Sequence, residues 1–463
     1  MKIVHVIHTF PPHSRAGSEN YVEALVDQQR RRHEVSVFHR IADSERPEFE
    51  ALEAFHGEIP VVTVNRTFGD MTCFRDTYVS RPIEAVFEAF LERERPDVVH
   101  FHHVTCLSTT CVQAAHRRRI PVIFTLHDFW LICPRGQLVR SDETLCEQHT
   151  DVDCVRCMAY QLRIRGGHDR KKALWKRHAG LRGLRFARRV QRWLASRRFA
   201  DQTQALAEIR ARVEHMRELF ESVDHFISPS AFLRDQFIES GLAAEKISVL
   251  DNGFDTTPWR GVAAARVRSA GEPLRCVYLG TWIPTKGVHV LLEAFRELDP
   301  EKAVLDVHGY AVPYEGREHY EGELRSLAEG AANIRLGERY TPAQVPQLLA
   351  EADVLVVPSV WYENSPLTLH EAFLAGLPVI ASDHGGLREF VQHEVNGLRF
   401  KPGSVRALRA AITRLIDEPE LLGRLRARRT HVMSIDDHAQ ALDAIYAAAT
   451  PASAGVSAGS VRS

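Results

Sequence analysis

Apolar segments of strand length alternate with helical segments along most of the chain, and this alternation constrains the fold most strongly. In the first half, MKIVHVIH, HEVSVFHR, PVVTVN, DVVHFHH and PVIFTLH are rich in Val and Ile, with helical patterns between several of them. A second series runs from LRCVYLG to LPVIAS. Such alternation predicts parallel sheets covered by helices on both faces. Because 463 residues exceed one ordinary core, we expect two doubly wound domains.

Interruptions of this pattern divide the chain. Residues 261–273 lack periodicity, which predicts a linker between an N-terminal domain (1–260) and a C-terminal domain (274–433). A last helix is expected over 434–449, followed by a disordered Ala/Ser/Gly tail over 450–463. No apolar run approaches the roughly 20 residues that cross a bilayer, and the first strand lacks the features of a signal peptide. We therefore expect a cytoplasmic protein.

The stretch from Glu363 to Glu371 carries the strongest chemical signal. The strand DVLVVPS runs into a polar loop, and a helix is predicted from Leu367, with Ser365 as its cap and Pro366 in its first turn. Ligands of such sheets bind at the carboxyl ends of strands, where the N–H groups of a helix N-terminus favour phosphate. Glu371 can then accept hydrogen bonds from ribose hydroxyls, while Glu363 contacts a sugar beside the diphosphate. Taken alone, two glutamates at this spacing are also common on structural loops.

The surrounding motifs resemble those of the retaining glycosyltransferases of family 4, also called glycosyl transferases group 1. Glu363 through Glu371 matches the E-x7-E signature, and a small-Gly-x-Pro-Val-Ile-Ala-Ser strand follows at 375–382. A Gly-Gly turn at 385–386 and an N-G-L-x-F element at 396–400 continue the match. The resemblance implies the GT-B fold, in which two Rossmann-like domains face across a cleft and the last helix packs back on the N-terminal domain.

The same resemblance assigns the contacts to a nucleoside-diphosphate sugar, with no cofactor for catalysis. In YLGTWIPTKG, Lys286 is the cation for the leaving diphosphate, and Gly280 lets the backbone approach it. Many relatives carry an Arg after this glycine, where this chain has Thr281. Gly17 lies in the family's N-terminal glycine loop and is expected to bring an amide towards the diphosphate or the acceptor.

A histidine just beyond the strand PVIFTL completes the predicted site. A histidine in such a position is more often structural, but the resemblance places the family's active-site histidine at His127, facing Glu363 across the cleft. Its expected role is to bond sugar hydroxyls and to stabilise an oxocarbenium-like transition state, with Asp128 orienting the imidazole. The predicted catalytic residues are His127, Glu363 and Lys286. The predicted donor-binding residues are Gly17, Gly280, Lys286, Ser365, Pro366, Leu367 and Glu371.

Four cysteines are concentrated between residues 133 and 157. They are Cys133, Cys146, Cys154 and Cys157. The spacing C-x12-C-x7-C-x2-C suits a tetrahedral structural zinc, with His149 able to replace one thiolate. Reduced thiols, a disulfide formed during purification and an iron–sulfur cluster remain alternatives. Because the segment follows His127 closely, we expect it to shape the acceptor side of the cleft.

A helical insertion is predicted over 160–222, and its first part is strongly basic. Residues 160–200 hold 14 Lys and Arg against the single acid Asp169, or +13, within a chain whose net charge is −1. Trp175 and Trp193 lie among its leucines and arginines, which favours a surface for anionic lipid headgroups. A solvated structural helix is nearly as well supported, and a nucleic-acid surface much less.

These observations predict a retaining glycosyltransferase of cell-surface polysaccharide or glycolipid synthesis. A saccharide or lipid-linked acceptor and a peripheral position on the inner face of the plasma membrane would fit the basic insertion. A non-catalytic scaffold with the GT-B fold and a nucleotide-sugar epimerase are the alternatives. The presence of Glu363, Glu371, Lys286 and His127 argues against a scaffold, and the E-x7-E context argues against an epimerase. The sequence specifies neither the sugar, the base nor the acceptor.

Overall fold

The computed structural model describes residues 1–69, 71–148, 150–159, 162, 202–260, 266, 268–269, 271–314, 317 and 319–450. The strands among them are β1 Lys2–Val6, β2 Glu34–Ile41, β3 Ala51–His56, β4 Ile59–Asn65, β5 Val98–Phe101, β6 Val122–Thr125, β7 His225–Ser228, β8 Ile247–Val249, β9 Leu274–Leu279, β10 Ala303–His308, β11 Ile334–Leu336, β12 Val354–Val357, β13 Val379–Ser382 and β14 Gly397–Phe400. The helices are α1 Gly17–Gln29, α2 Arg81–Glu94, α3 Thr110–Arg117, α4 Asp151–Cys157, α5 Gln202–Glu221, α6 Ala231–Glu239, α7 Val288–Arg296, α8 Tyr320–Ala328, α9 Val345–Ala350, α10 Leu367–Leu374, α11 Gly385–Phe390, α12 Val405–Asp417, α13 Pro419–Ala427 and α14 Ile435–Ala449.

The first sheet orders its eight described strands β3-β4-β2-β1-β5-β6-β7-β8. Neighbouring strands are parallel except β3 and β4, which are antiparallel. Central strands such as β5 and β6 are buried at every position, as expected when helices cover both faces of a parallel sheet. The strand order reverses direction between β1 and β5, so the loops that follow these strands flank a crevice.

The second sheet is parallel throughout, with the order β11-β10-β9-β12-β13-β14. Its strand order reverses between β9 and β12. The loops after these two strands contain Lys286 and Glu363, which brings the two predicted site residues to one crevice. The predicted pair of doubly wound sheets is therefore confirmed.

The last helix, α14, packs against α1 of the N-terminal domain, as expected. Its buried side chains Ile435, Leu442 and Tyr446 join an apolar cluster with Val22 and Leu25 of α1. The chain thus crosses from the second domain back to the first.

Several sequence predictions fall wholly or partly outside the described residues. These include most of the linker 261–273, the basic part of the insertion (163–201) and the tail beyond residue 450. Among the described helices, none combines the length and the apolar character that a membrane crossing requires. Strand β3 was not predicted, and it lies at the edge of its sheet with mostly exposed side chains.

Candidate active site

Glu363 lies in the loop between β12 and α10, and a single oxygen of its carboxylate accepts three hydrogen bonds. The donors to Oε1 are Lys286 Nζ at 2.7 Å, Ser359 Oγ at 2.6 Å and Trp361 Nε1 at 2.8 Å. Burial alone would raise the pKa of Glu363, but the charge of Lys286 and these hydrogen bonds outweigh it and hold the pKa below its ordinary value. Glu363 is therefore an anion, and none of the described residues donates a hydrogen bond to its Oε2.

Lys286 ends the 3₁₀ turn Pro284–Lys286 that follows β9. Its ammonium lies 5.1 Å from the centre of the Trp361 ring. The next residue, Gly287, has φ 70°, and a Cβ there would lie 2.0 Å from the carbonyl oxygen of Pro358, so only glycine lets this turn approach the Glu363 loop. An ammonium has three N–H donors, and the bond to Glu363 leaves two for phosphate oxygens.

The N-terminus of α10 is open. Pro366 is its N-cap residue, and no side chain bonds to the first N–H groups. The prediction that Ser365 caps this helix was wrong, because its Oγ donates instead to Asp251 Oδ1 at 2.7 Å. The other oxygen of Asp251 bonds to Nε2 of His370, one turn into the helix, at 2.8 Å. With its first N–H groups free of side chains, the helix can accept an anion.

The N-terminus of α1 lies at the same place. Gly17 is the first residue of α1, and its N-cap, Ala16, supplies no side-chain hydrogen bond. A Cβ on Gly17 would lie 3.8 Å from the side chain of Leu367, the first residue of α10. The first residues of two helices from different domains are therefore neighbours, which brings their positive ends close together. This arrangement suits a ligand with more than one negative charge.

Glu371 lies one turn inside α10, and its carboxylate has no hydrogen-bond partner among the described residues. Burial raises the pKa of Glu371 to about 7. Glu371 is half-buried, so its carboxylate, which has no donor among the described residues, is accessible to hydroxyl donors of a ligand. Gly280 lies between β9 and the Lys286 turn and has φ 152°; a Cβ there would lie 3.0 Å from the Tyr278 hydroxyl.

His127 follows β6 and lies next to the Glu363 loop of the other domain. Its carbonyl oxygen accepts a hydrogen bond of 2.9 Å from Asn364 Nδ2. Burial, followed by the nearby His103, lowers the pKa of His127 to about 3, so the imidazole is neutral. The expectation that Asp128 orients this ring was wrong, because Asp128 bonds to His103 Nε2 at 2.9 Å and to the backbone of Trp130.

The four cysteines of the segment 133–157 are reduced and half-buried. Burial and then the charges of the other three thiols raise the pKa of Cys154 to about 12, which shows that the four side chains share one patch. Tetrahedral zinc would require sulfur atoms roughly 3.8 Å apart. Among the described residues, the one group of three or more metal-ligating side chains within 4.8 Å of one another is His5, His100 and His102, so the thiols are spaced more widely. His149 lies outside the described residues.

Sequence reasoning missed several contacts that join the domains. Glu389 of α11 accepts hydrogen bonds from the backbone N–H groups of Ala231 and Phe232, at 3.0 and 3.2 Å, and so caps α6 of the N-terminal domain. The partners are 157 or more residues apart in the sequence, so no local sequence pattern predicts these hydrogen bonds. The buried histidines His5, His100 and His102 did leave a signal, since they lie in strand-forming segments otherwise rich in valine.

The two doubly wound sheets and the cleft between them have the architecture of the GT-B fold. Residues 15–258 match the family model described as Glycosyltransferase Family 4, and residues 264–431 match the model described as Glycosyl transferases group 1. The first match covers more than half of the chain. The protein therefore belongs to glycosyltransferase family 4.

Solved structures share this fold at low sequence identity. Sucrose-phosphate synthase from Thermosynechococcus elongatus superposes with a TM-score of 0.63 at 18% identity, over 97% of this chain and 98% of that one. HepE from Anabaena, in complex with UDP and glucose, gives a TM-score of 0.62 at 17% identity, over 97% of this chain and 100% of that one. These likenesses confirm the GT-B fold.

Curated relatives match part of the chain. A putative glycosyltransferase, YtcC of Bacillus subtilis, is 28% identical over 47% of this chain and 58% of its own length. The amylovoran biosynthesis glycosyltransferase AmsK of Erwinia amylovora is 28% identical over 44% of this chain and 50% of its own length. The lipopolysaccharide 1,2-N-acetylglucosaminetransferase of Salmonella typhimurium is 30% identical over 40% of this chain and 52% of its own length. The chain thus spans about half the length of the curated relatives it matches.

Proposed function

We propose that this glycosyltransferase moves a sugar from a nucleoside diphosphate to an acceptor hydroxyl, with retention at the anomeric carbon. The observation that carries the proposal is the meeting of two open helix N-termini, at Gly17 and Leu367. A diphosphate placed there would receive N–H donors from both domains. Glu371, one turn further along α10, lies where a ribose diol can supply the donors that its carboxylate lacks. The complexes of HepE with UDP and with UDP-glucose support a nucleotide-sugar donor for this fold.

The charges around this point fit departure of a diphosphate. As the bond from the anomeric carbon to the phosphate oxygen breaks, negative charge grows on that oxygen, and Lys286 and the helix N-termini stabilise it. The acceptor oxygen then bonds to the anomeric carbon on the face that the diphosphate leaves, and the hydroxyl proton passes to the departing phosphate oxygen. In this proposal Glu363 is not a nucleophile: its Oε1 is held by three donors, and its Oε2 binds a sugar hydroxyl.

The sugar lies, in this proposal, between Glu363 and His127. The free Oε2 of Glu363 would accept a hydrogen bond from a sugar hydroxyl, and the neutral His127 would contact the sugar from the other domain. The acceptor is proposed to be a saccharide or a lipid-linked saccharide of cell-surface polysaccharide or glycolipid synthesis. Relatives named for amylovoran, colanic acid and lipopolysaccharide synthesis support that choice.

Two accompanying proposals concern segments beside the site. The four cysteines would hold a structural zinc, which requires the thiols to move closer together than they lie in the structure. The basic segment 160–200 would bring the enzyme to anionic lipid at the inner face of the plasma membrane. Binding to vesicles with and without phosphatidylserine tests the second proposal, and equal binding to both would contradict it.

A thermal-shift screen of UDP-, GDP- and ADP-sugars tests the donor class. A ligand at 100 times its Kd should stabilise the protein by about 2.7 kcal/mol. The sugar that raises the melting temperature should then be transferred to an acceptor by the wild type. If no nucleotide sugar shifts the melting temperature and none is consumed, the proposed function is wrong.

A further inference from the structure

A row of buried histidines connects the interior of the first sheet to His127. His5 lies on β1 opposite His100 of β5, and His102 follows β5 directly. All three are at most 1% exposed. Nδ1 of His5 lies 2.9 Å from Nε2 of His102, and Nδ1 of His102 lies 3.5 Å from Nε2 of His127. The row therefore ends at His127, whose backbone carbonyl contacts Asn364 of the Glu363 loop.

With the Gln29 amide oriented as it is in the structure, the hydrogen bonds in this row run in one direction. At the inner end, Nε2 of His5 lies 2.8 Å from Oε1 of Gln29, and an amide oxygen can only accept. His5 must then carry its proton on Nε2. Because burial keeps His5 neutral at ordinary pH, its Nδ1 is an acceptor, and Nε2 of His102 must donate to it.

The same assignment of donor and acceptor nitrogens applies to His102. Its buried ring is neutral too, so Nδ1 accepts and Nε2 of His127 donates. A neutral imidazole with its proton on Nε2 carries a lone pair on Nδ1. Among the described residues, none forms a hydrogen bond with Nδ1 of His127.

We infer that Gln29, His5 and His102 are positioning residues that fix the tautomer and orientation of His127, so that its Nδ1 accepts a hydrogen bond from a hydroxyl of the donor sugar. The inference rests on the proposed function, because it requires the sugar to lie beside His127. It also predicts a specificity: a donor whose sugar lacks that hydroxyl cannot form this hydrogen bond with Nδ1 of His127.

The trio His5, His100 and His102 is also close enough to hold a metal ion, and its hydrogen bonds argue against that use. His100 completes its own bonds with the Tyr446 hydroxyl at 2.6 Å and the Thr125 hydroxyl at 2.7 Å. All six ring nitrogens of the trio therefore have partners, and a metal would have to displace several of them. Tyr446 also ties α14 to this row, which anchors the returning helix at the site.

The test replaces His102, the middle histidine of the row. H102F keeps an aromatic ring but removes both nitrogens, whereas H102Q retains one donor and one acceptor. We expect kcat to fall about 10-fold in H102F through loss of alignment, with partial recovery in H102Q. The Kd for UDP, GDP or ADP, whichever binds, should stay within about twofold, because these ligands lack the sugar. H225F is the matched control, since His225 bonds to Ser248, outside the row.

A spectroscopic readout separates positioning from general damage. Long-range ¹H–¹⁵N correlation spectra of histidine-labelled protein should show His127 as the Nε2–H tautomer in the wild type and as a mixture in H102F. If H102F does not fold, Q29M perturbs the inner end of the row and is expected to give the same mixture. An unchanged tautomer and unchanged kcat in a folded variant would overturn the inference.

Two further outcomes are distinguishable. A stoichiometric metal in the wild type that is lost in H102F would assign the trio to metal binding instead and overturn the inference. Failure of the wild type to use any nucleotide sugar would contradict the proposed function. In that case the tautomer spectra would still decide whether the row controls His127.

Discussion

Binding of the donor should be coupled to proton release from Glu371. In the free enzyme, burial raises the pKa of this carboxyl to about 7. Two ribose hydroxyls would donate to the ionised form and stabilise it, so bound donor should return the pKa towards its ordinary value. The diphosphate of a nucleotide sugar does not itself titrate near neutrality. Donor affinity should therefore rise as the pH increases through 7.

The magnitude follows from the ionised fraction of the free enzyme. With a pKa of about 7, roughly one eleventh of Glu371 is ionised at pH 6 and roughly ten elevenths at pH 8. Donor affinity should then be about 10-fold higher at pH 8, which corresponds to about 1.4 kcal/mol. His127 stays neutral throughout this range, because its pKa is about 3.

Isothermal titration calorimetry in two buffers of different ionisation enthalpy measures both quantities. At pH 7 we expect release of roughly half a proton per donor bound. E371Q is the control: its affinity should be lower and independent of pH, with no proton released. Wild-type affinity that is constant from pH 6 to 8, or an equal pH dependence in E371Q, would refute the assignment of Glu371 to the ribose.

The raised pKa also has a consequence for the stability of the free protein. A folded-state pKa above the unfolded value means that the folded state binds more protons between about pH 4.5 and 7. The contribution of Glu371 to the free energy of unfolding therefore falls as the pH rises through that window. E371Q should remove this loss, so its stability relative to the wild type should improve from pH 5 to pH 8.

Three other predictions concern separate parts of the molecule. K286M should lower kcat by about 100-fold, because it removes the cation beside the leaving diphosphate; steady-state kinetics with the identified donor measures this. E389Q should weaken the cap on α6 by about 1 kcal/mol and shift the domains towards an open arrangement, seen as a larger radius of gyration in X-ray scattering. Protein purified without chelator should contain about one zinc per chain by elemental analysis, and C157S should lose it.

Each of these measurements has a matched control variant. Lys302, remote from the site, gives K302M, which should keep wild-type kcat. Glu394 pairs with Arg414 of its own domain, so E394Q should leave the radius of gyration unchanged. Cys106 lies outside the four-cysteine segment, and C106S should retain zinc. Near-wild-type kcat in K286M, equal radii for E389Q and the wild type, or protein free of zinc would contradict the corresponding prediction.

The fold was readable from the sequence where burial is complete. Strand Val354–Val357 is buried at every position, so it appears as an unbroken apolar run. Strand Ala51–His56 was not predicted because its side chains are mostly exposed. Its one large apolar side chain left in solvent, Phe55, is 74% exposed. Its antiparallel pairing with β4, rather than a hydrophobic pattern, makes it a strand.

The residues themselves predicted the candidate site only where its members are close in sequence; the family resemblance added Lys286, which bonds to Glu363 across 77 positions. Glu363 and Glu371 share one strand-loop-helix unit, so their spacing reports their geometry. The contact of Asn364 with the His127 carbonyl and the cap of Glu389 on α6 depend on how two domains meet, which no local pattern records. Ser365 shows the same limit: its sequence position suits a cap, but its hydroxyl donates to Asp251 of the N-terminal domain instead.

The most direct test of the account is the stereochemistry of transfer, measured by NMR on the product formed from the donor that the thermal-shift screen identifies. We predict that the wild type forms a new glycosidic bond with the same anomeric configuration as the donor. An inverted product, or an isomerised nucleotide sugar formed with no acceptor present, would contradict it.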